Sequence, residues 1–212
     1  ADGSRVDAVT FGAVGSSIVR TANGWTTAKP TFGKLNQPTQ PAALTNLVIN
    51  EWLADPAEGG RDWLELYNPD ANAPALITGL HIRVDQQIDG LHRIATIPPR
   101  GHMRVWLDTR PGPGHVDLSL PADGATITLI TSEGVEFATM KYARQRTGVS
   151  EGRRPDGSSR TVKFTKGATP GAPNIVPSYD GPRLNEVLAF NRNGPSDWIE
   201  LYNDTGSGVS LD

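Results

Sequence analysis

The sequence predicts an all-β chain built as tandem sandwich modules, and three observations predict it. The 212 residues include 23 Gly and 17 Pro, a share that breaks helices and supplies tight turns. Apolar and polar residues alternate with the period of two that half-buried strands require. One motif recurs at a fixed distance, which makes the chain a set of copies.

The repeat is read directly from the residues. Ile49-Asn50-Glu51-Trp52-Leu53-Ala54 aligns with Leu184-Asn185-Glu186-Val187-Leu188-Ala189. At the same spacing Asp62-Trp63-Leu64-Glu65-Leu66-Tyr67-Asn68 aligns with Asp197-Trp198-Ile199-Glu200-Leu201-Tyr202-Asn203. A second echo links Thr31-Phe32-Gly33-Lys34-Leu35-Asn36 to Thr169-Pro170-Gly171-Ala172-Pro173-Asn174, and Arg20 to Gly24 echo Arg153 to Gly157. Val9 and Phe11 likewise resemble Val135 and Phe137. The order is tail, whole, head: residues 1–37 end one module, 46–174 form a complete one and 183–212 begin another. Residues 38–45 and 175–182, Pro-bearing and without periodicity, read as short stiff linkers.

Inside the complete module, Leu64 and Leu66 alternate with Trp63, Glu65 and Tyr67, which defines a strand. Leu80 to Val84 repeats the pattern, with Ala75-Leu76-Ile77 and Leu91-His92-Arg93-Ile94 as shorter candidates. Pro98-Pro99-Arg100-Gly101 turns the chain into Met103 to Leu107. Ala125 to Ile130 pairs with Val135 to Met140 through Ser132-Glu133-Gly134, a hairpin with a Gly-bearing loop. Seven or more short strands separated by turns predict two packed sheets.

These landmarks, together with the Gly152-Arg153-Arg154-Pro155-Asp156-Gly157 turn and the closing Thr169 to Asn174, resemble the bacterial lamin tail domain in order and spacing. The resemblance covers most of the chain. Residues 1–37 depart from it, with Phe32 and Lys34-Leu35 where Pro and Ala-Pro are expected. It implies an immunoglobulin-like β-sandwich, an extracellular or cell-surface setting in a bacterium, and a non-catalytic role beside other domains.

Composition narrows the chemistry. With 37% hydrophobic residues the chain can bury a core, and a net charge of −3 gives no overall attraction to nucleic acid or anionic membrane. The lack of Cys excludes disulfides and thiol chemistry. No apolar run is long enough to span a bilayer as a helix, and Ala1 to Arg5 is not a signal peptide, so an exported form would come from a longer precursor.

Gly148-Val149-Ser150-Glu151-Gly152 matches the G-x-S-x-G elbow, but Pro155-Asp156-Gly157 makes a turn where a helix is needed. His81, His92, His102 and His115 stand singly, without zinc spacing or an acidic partner evident in sequence. Glu51 shares parity with Ile49 and Leu53, so one of Glu51 and Glu65 can face inward; if their strands are neighbours the pair could hold a cation, one could be protonated, or each could bond backbone N–H groups or Arg153, and structural hydrogen bonding is expected over a cation. Trp63 and Tyr67 are expected to cover the module's second face. No catalytic, cofactor or metal residue is therefore assigned, and no cofactor.

Lys141, Arg144, Arg146, Arg153, Arg154, Arg160, Lys163 and Lys166 form one basic stretch, interrupted only by Glu151 and Asp156. It reads either as solvated strand edges or as a patch for an anionic polymer. The expected function is a non-catalytic interaction or spacer module. Its expected partners are a protein or an anionic polysaccharide, with nucleic acid second to these. The alternative is an accessory region of an extracellular hydrolase or nuclease. Self-association through the partial modules is a further expectation.

Overall fold

The computed structural model describes residues 16–92, 94–110, 112, 114–165, 167–175, 181–189, 194, 196–203 and 206–209. Val9, Phe11 and most of the second linker lie outside them. The chain divides into two compact units, Ala1–Ile175 and Val176–Asp212. Both are all-β, and the described residues contain no α-helix, only a 3-10 turn at Leu44–Asn46.

In the first unit, β1 (Ser17–Thr21), β2 (Gly24–Lys29) and β3 (Gln37–Pro38) make a small antiparallel sheet. The linker stretch then docks on the sandwich: Ala42 is buried, pairs with Ala75 and donates its N–H to the Pro74 carbonyl at 3.0 Å.

The sandwich runs through β4 (Val48–Leu53), β5 (Asp62–Tyr67), β6 (Ala75–Ile77), β7 (His81–Val84), β8 (Gln87–Gly90) and β9 (Ala95–Ile97). It continues with β10 (His102–Leu107), β11 (His115–Val116), β12 (Gly124–Ile130), β13 (Glu136–Ala143), β14 (Ser150–Arg153) and β15 (Thr161–Phe164). One sheet has the order β11-β10-β5-β4-β14-β15 and the other β13-β12-β7-β8, with β6 and β9 paired separately. A single core joins the sheets, with Ile49, Trp52, Leu64, Leu66 and Val105 from the larger and Ile82, Ile127, Leu129 and Tyr142 from the smaller. Gln145 ties the end of β4 to the loop after β13, accepting the Ala54 N–H at 2.6 Å.

The predicted strands stand within a few residues of their expected places. Leu91 to Ile94 differs: Leu91 and His92 belong to no strand and Arg93 is not among the described residues. The chain turns earlier, at Asp85 (φ 51), and pairs Gln87–Gly90 with β7. That edge strand, Gln-Ile-Asp-Gly, carries too little apolar alternation to announce itself.

The parity of Glu51 is corrected by a β-bulge. Ile49 pairs with Leu66 but Glu51 pairs with Glu65, so Asn50 is the extra residue. A bulge inserts one residue and shifts everything beyond it to the opposite face. Ile49 and Trp52 therefore both reach the core, while Glu51 joins Glu65 on the outer face of the sheet. Trp63 and Tyr67 share that face and are buried, as expected of residues that cover a second side.

The second unit contains β16 (Arg183–Leu188) and β17 (Trp198–Tyr202), one antiparallel hairpin.

Candidate functional site

The outer face of β4 and β5 is closed by irregular chain, and the closure is polar. Glu51 and Glu65 have 0% exposure, yet neither lies in the apolar core. Glu51 accepts the Ser150 hydroxyl at 2.6 Å and the Thr169 N–H at 3.2 Å. Glu65 accepts the Gly171 N–H through Oε2, and through Oε1 the Asn50 amide at 3.0 Å. The second Asn50 amide hydrogen goes to Asp156 Oδ1, also at 3.0 Å, while Asn50 Oδ1 takes the Gly157 N–H. Asp156 Oδ1 accepts the Asn174 N–H, and Asn174 Nδ2 donates to the carbonyls of Asn50 and Arg153. Five side chains thus satisfy the backbone of two loops, 153–158 and 169–174, and clasp both to the sheet.

Close approach demands glycine here. A Cβ on Gly152 would lie 2.7 Å from the Asn50 carbonyl and 2.8 Å from Asn174 Nδ2. Gly157 (φ +72) sits against the Tyr67 ring.

Thr169 Oγ1 lies 2.9 Å from both Glu51 Oε2 and Asn174 Oδ1, but a hydroxyl has one hydrogen to give. Asn174 Nδ2 is committed to two carbonyls, so its Oδ1 must accept from Thr169. The Thr169 hydroxyl is therefore shared between the two acceptors, and Glu51 Oε2 also takes the Thr169 N–H at 3.2 Å. Burial raises the pKa of Glu51, and burial with a contribution from the Glu51 charge pushes Glu65 up to about 7. Two carboxyls on one dry face titrate as a pair.

Ser150 lies within β14, buried between β4 and β15, and its hydroxyl is spent on Glu51. The G-x-S-x-G segment is therefore strand and not elbow. Three histidines have acidic partners that the sequence did not reveal: His102 with Asp156 at 3.3 Å, His115 with Asp108 at 2.6 Å and His92 with Asp89 at 3.5 Å. His81 Nδ1 lies 3.1 Å from the Gly79 carbonyl. His102 stacks on Tyr67 at 4.8 Å, and burial lowers its pKa. Among the described residues no group of three or more His, Asp or Glu is placed to hold a metal ion.

The basic stretch is spread over two sheet edges. Lys141 is exposed on edge strand β13, and Lys163 on edge strand β15, where it pairs with Glu151 at 3.5 Å. Arg144 pairs with Asp123 at 3.3 Å, and Arg153 turns inward to the Ile49 and Ser158 carbonyls rather than to a carboxylate. Arg146, Arg154 and Arg160 are exposed, and Lys166 lies outside the described residues. Positive charge on edge strands discourages edge-to-edge pairing, which accounts for Lys141 and Lys163.

The copies of the motif reproduce parts of the clasp. In the second unit Leu184 pairs with Leu201 and Glu186 with Glu200, so Asn185 is again the bulged residue. The Asn185 amide again donates to the carboxylate of the second glutamate, Glu200. Asn203 Nδ2 bonds the Ser207 carbonyl as Asn68 Nδ2 bonds that of Ala73. In the tail, Thr31 Oγ1 meets Asn36 Oδ1 at 3.5 Å, and the Lys34 N–H returns to the Thr31 carbonyl as Ala172 does to Thr169. Compared with known proteins, the chain matches no protein-family profile and no curated sequence.

Proposed function

We propose that the chain is a non-catalytic spacer and interaction segment of a bacterial secreted or cell-surface protein, assembled from tandem lamin-tail-like modules. One observation carries the reading: the motif's polar residues Asn50, Glu51, Glu65, Asp156 and Asn174 are occupied in clasping loops to a sheet. Groups so committed serve the fold, because an active site keeps its acid, base or nucleophile open to substrate. The setting rests on the likeness of the landmarks to bacterial lamin tail modules. An anionic polysaccharide or a partner protein is the proposed ligand class, met through the exposed Lys141, Arg146, Arg154 and Arg160.

The alternative, an accessory region of an extracellular hydrolase or nuclease, finds less support, because Ser150 and the buried carboxyls are already bonded. Incubating the 212-residue chain with ester and phosphodiester substrates separates the two. The proposal expects no turnover above background; hydrolysis that disappears in Ser150→Ala would reverse it.

A further inference from the structure

The two sheets of the sandwich are unequal, six strands against four, and the mismatch falls at one flank. Glu151 pairs with Trp52, so alternation puts Glu151 and Arg153 of β14 on the core side of their sheet, with Lys163 and Thr161 opposite them on β15. That surface would be apolar if the smaller sheet lay beneath it. Instead Thr161 and Lys163 are exposed, and no residue of β14 or β15 belongs to the core that joins the sheets. The smaller sheet ends at β13 and leaves this polar overhang unmatched.

The ladder shows which groups β13 leaves over. Thr126 spends its N–H on Asp85 Oδ1 and its carbonyl on the Asp85 N–H, both at 2.9 Å, and so turns towards β7. Alternate residues of an antiparallel strand bond opposite neighbours, so Ala125, Ile127 and Leu129 bond β13 through Tyr142, Met140 and Ala138. Thr139 and Lys141 therefore turn their N–H and C=O groups outward, and no described backbone group meets them there. Beside this edge a cavity of about 330 Å³ opens between the sheets, walled by Phe137, Met140, Val48, Ile49 and Arg153. On β13 itself Glu136 is held by Arg83, whereas Lys141 is exposed and meets no acid among the described residues.

We propose that the edge of β13 receives an extended acidic segment of a partner protein, which joins the smaller sheet as a fifth strand beneath the overhang. Its main chain bonds the outward groups of Thr139 and Lys141, one apolar side chain enters the cavity, and carboxylates on the alternate positions lie beside Lys141. Charge selects this occupant. A second β13 in the same place would bring Lys141 close to its own copy, and like charges across a ladder repel. An anionic polysaccharide meets the charge but has no peptide groups to match the outward row. The inference deepens the reading of the chain as an interaction segment, on which it rests, by naming the chemistry of the protein partner.

Titration of the isotope-labelled 212-residue chain with a seven-residue peptide alternating Glu and Val, up to millimolar and read by amide NMR, tests it. The Thr139 and Lys141 amides should shift and saturate, and a peptide with Lys in place of Glu should leave them unmoved. Thr139→Pro removes an outward N–H without touching the β12 ladder, and should weaken binding about tenfold. Lys141→Glu, a change at an exposed side chain, should exchange the preference and favour the Lys peptide. Thermal unfolding of both variants confirms that the sandwich is intact, and Lys141→Glu decides alone if Thr139→Pro does not fold. Amides of β13 that fail to saturate, or binding indifferent to both variants, would overturn the proposal. So would self-association abolished by Thr139→Pro, or a sulfated hexasaccharide that shifts these amides while the Glu peptide does not. A silent peptide together with no ester or phosphodiester turnover removes this inference alone, whereas turnover by a chain that still binds the peptide removes the non-catalytic reading alone.

Discussion

At the scale of single residues, Glu51 decides the clasp. It accepts from the Ser150 hydroxyl and from both the N–H and the hydroxyl of Thr169. A glutamine keeps one acceptor oxygen for Ser150 and fills the same volume, but turns an amide towards the Thr169 N–H. Glu51→Gln should therefore lose part of the stability that Glu51→Ala loses, as read by chemical denaturation at neutral pH. Glu51→Ala strands two buried donors and opens a void, and should cost about 2 to 4 kcal/mol. Equal losses in both variants would mean that the second acceptor oxygen, and not the volume of the side chain, holds the loop.

At the scale of elements, the bulge and the glycine facing it set the geometry. Gly152 pairs with Glu51, and any Cβ there meets backbone and a committed amide within 3 Å. Gly152→Ala should destabilise the sandwich by about 2 kcal/mol or more and raise amide exchange in loop 169–174 ahead of the core strands. The strands themselves were legible, because alternation of the Leu64/Leu66 kind is imposed by the core and survives in the sequence. The bulge was not. Asn50 looks like any strand residue until its partner is known, and reading through it without the extra residue put Glu51 on the wrong side. The clasp was legible only in part: the recurrence of Asn-Glu and of Thr-x-Gly-x-x-Asn marked the right residues. Their meeting joins positions 118 apart for Glu51 and Thr169, which no local period records. The Asp partners of His92, His102 and His115 escaped because pattern reading looks for zinc spacing, and three separate pairs leave none.

At the scale of the whole molecule, the buried acids tie stability to pH. Glu65 ionises at about 7 in the fold against an ordinary 4.5. An acid raised in this way costs nothing while both states hold the proton, and costs more once the unfolded chain ionises first. Its contribution is complete below about 4.5 and is lost as pH rises through about 7, a change on the order of 3 kcal/mol. His102 opposes it, since burial lowers its pKa from 6.5 and acidification then destabilises the fold. The difference between wild type and Glu65→Gln isolates the carboxyl. That difference should grow in favour of the glutamine between pH 4.5 and pH 7, as read by urea midpoints. A flat difference would place ionised Glu65 at no disadvantage.

The distance between hairpin and clasp also orders events on the ribosome. Strands β4 and β5 emerge long before Thr169, and until it arrives their two carboxyls stand in water as ionised groups. A nascent sheet with charge on its bare side resists sticking to other nascent strands. Drying comes only when the last segment settles.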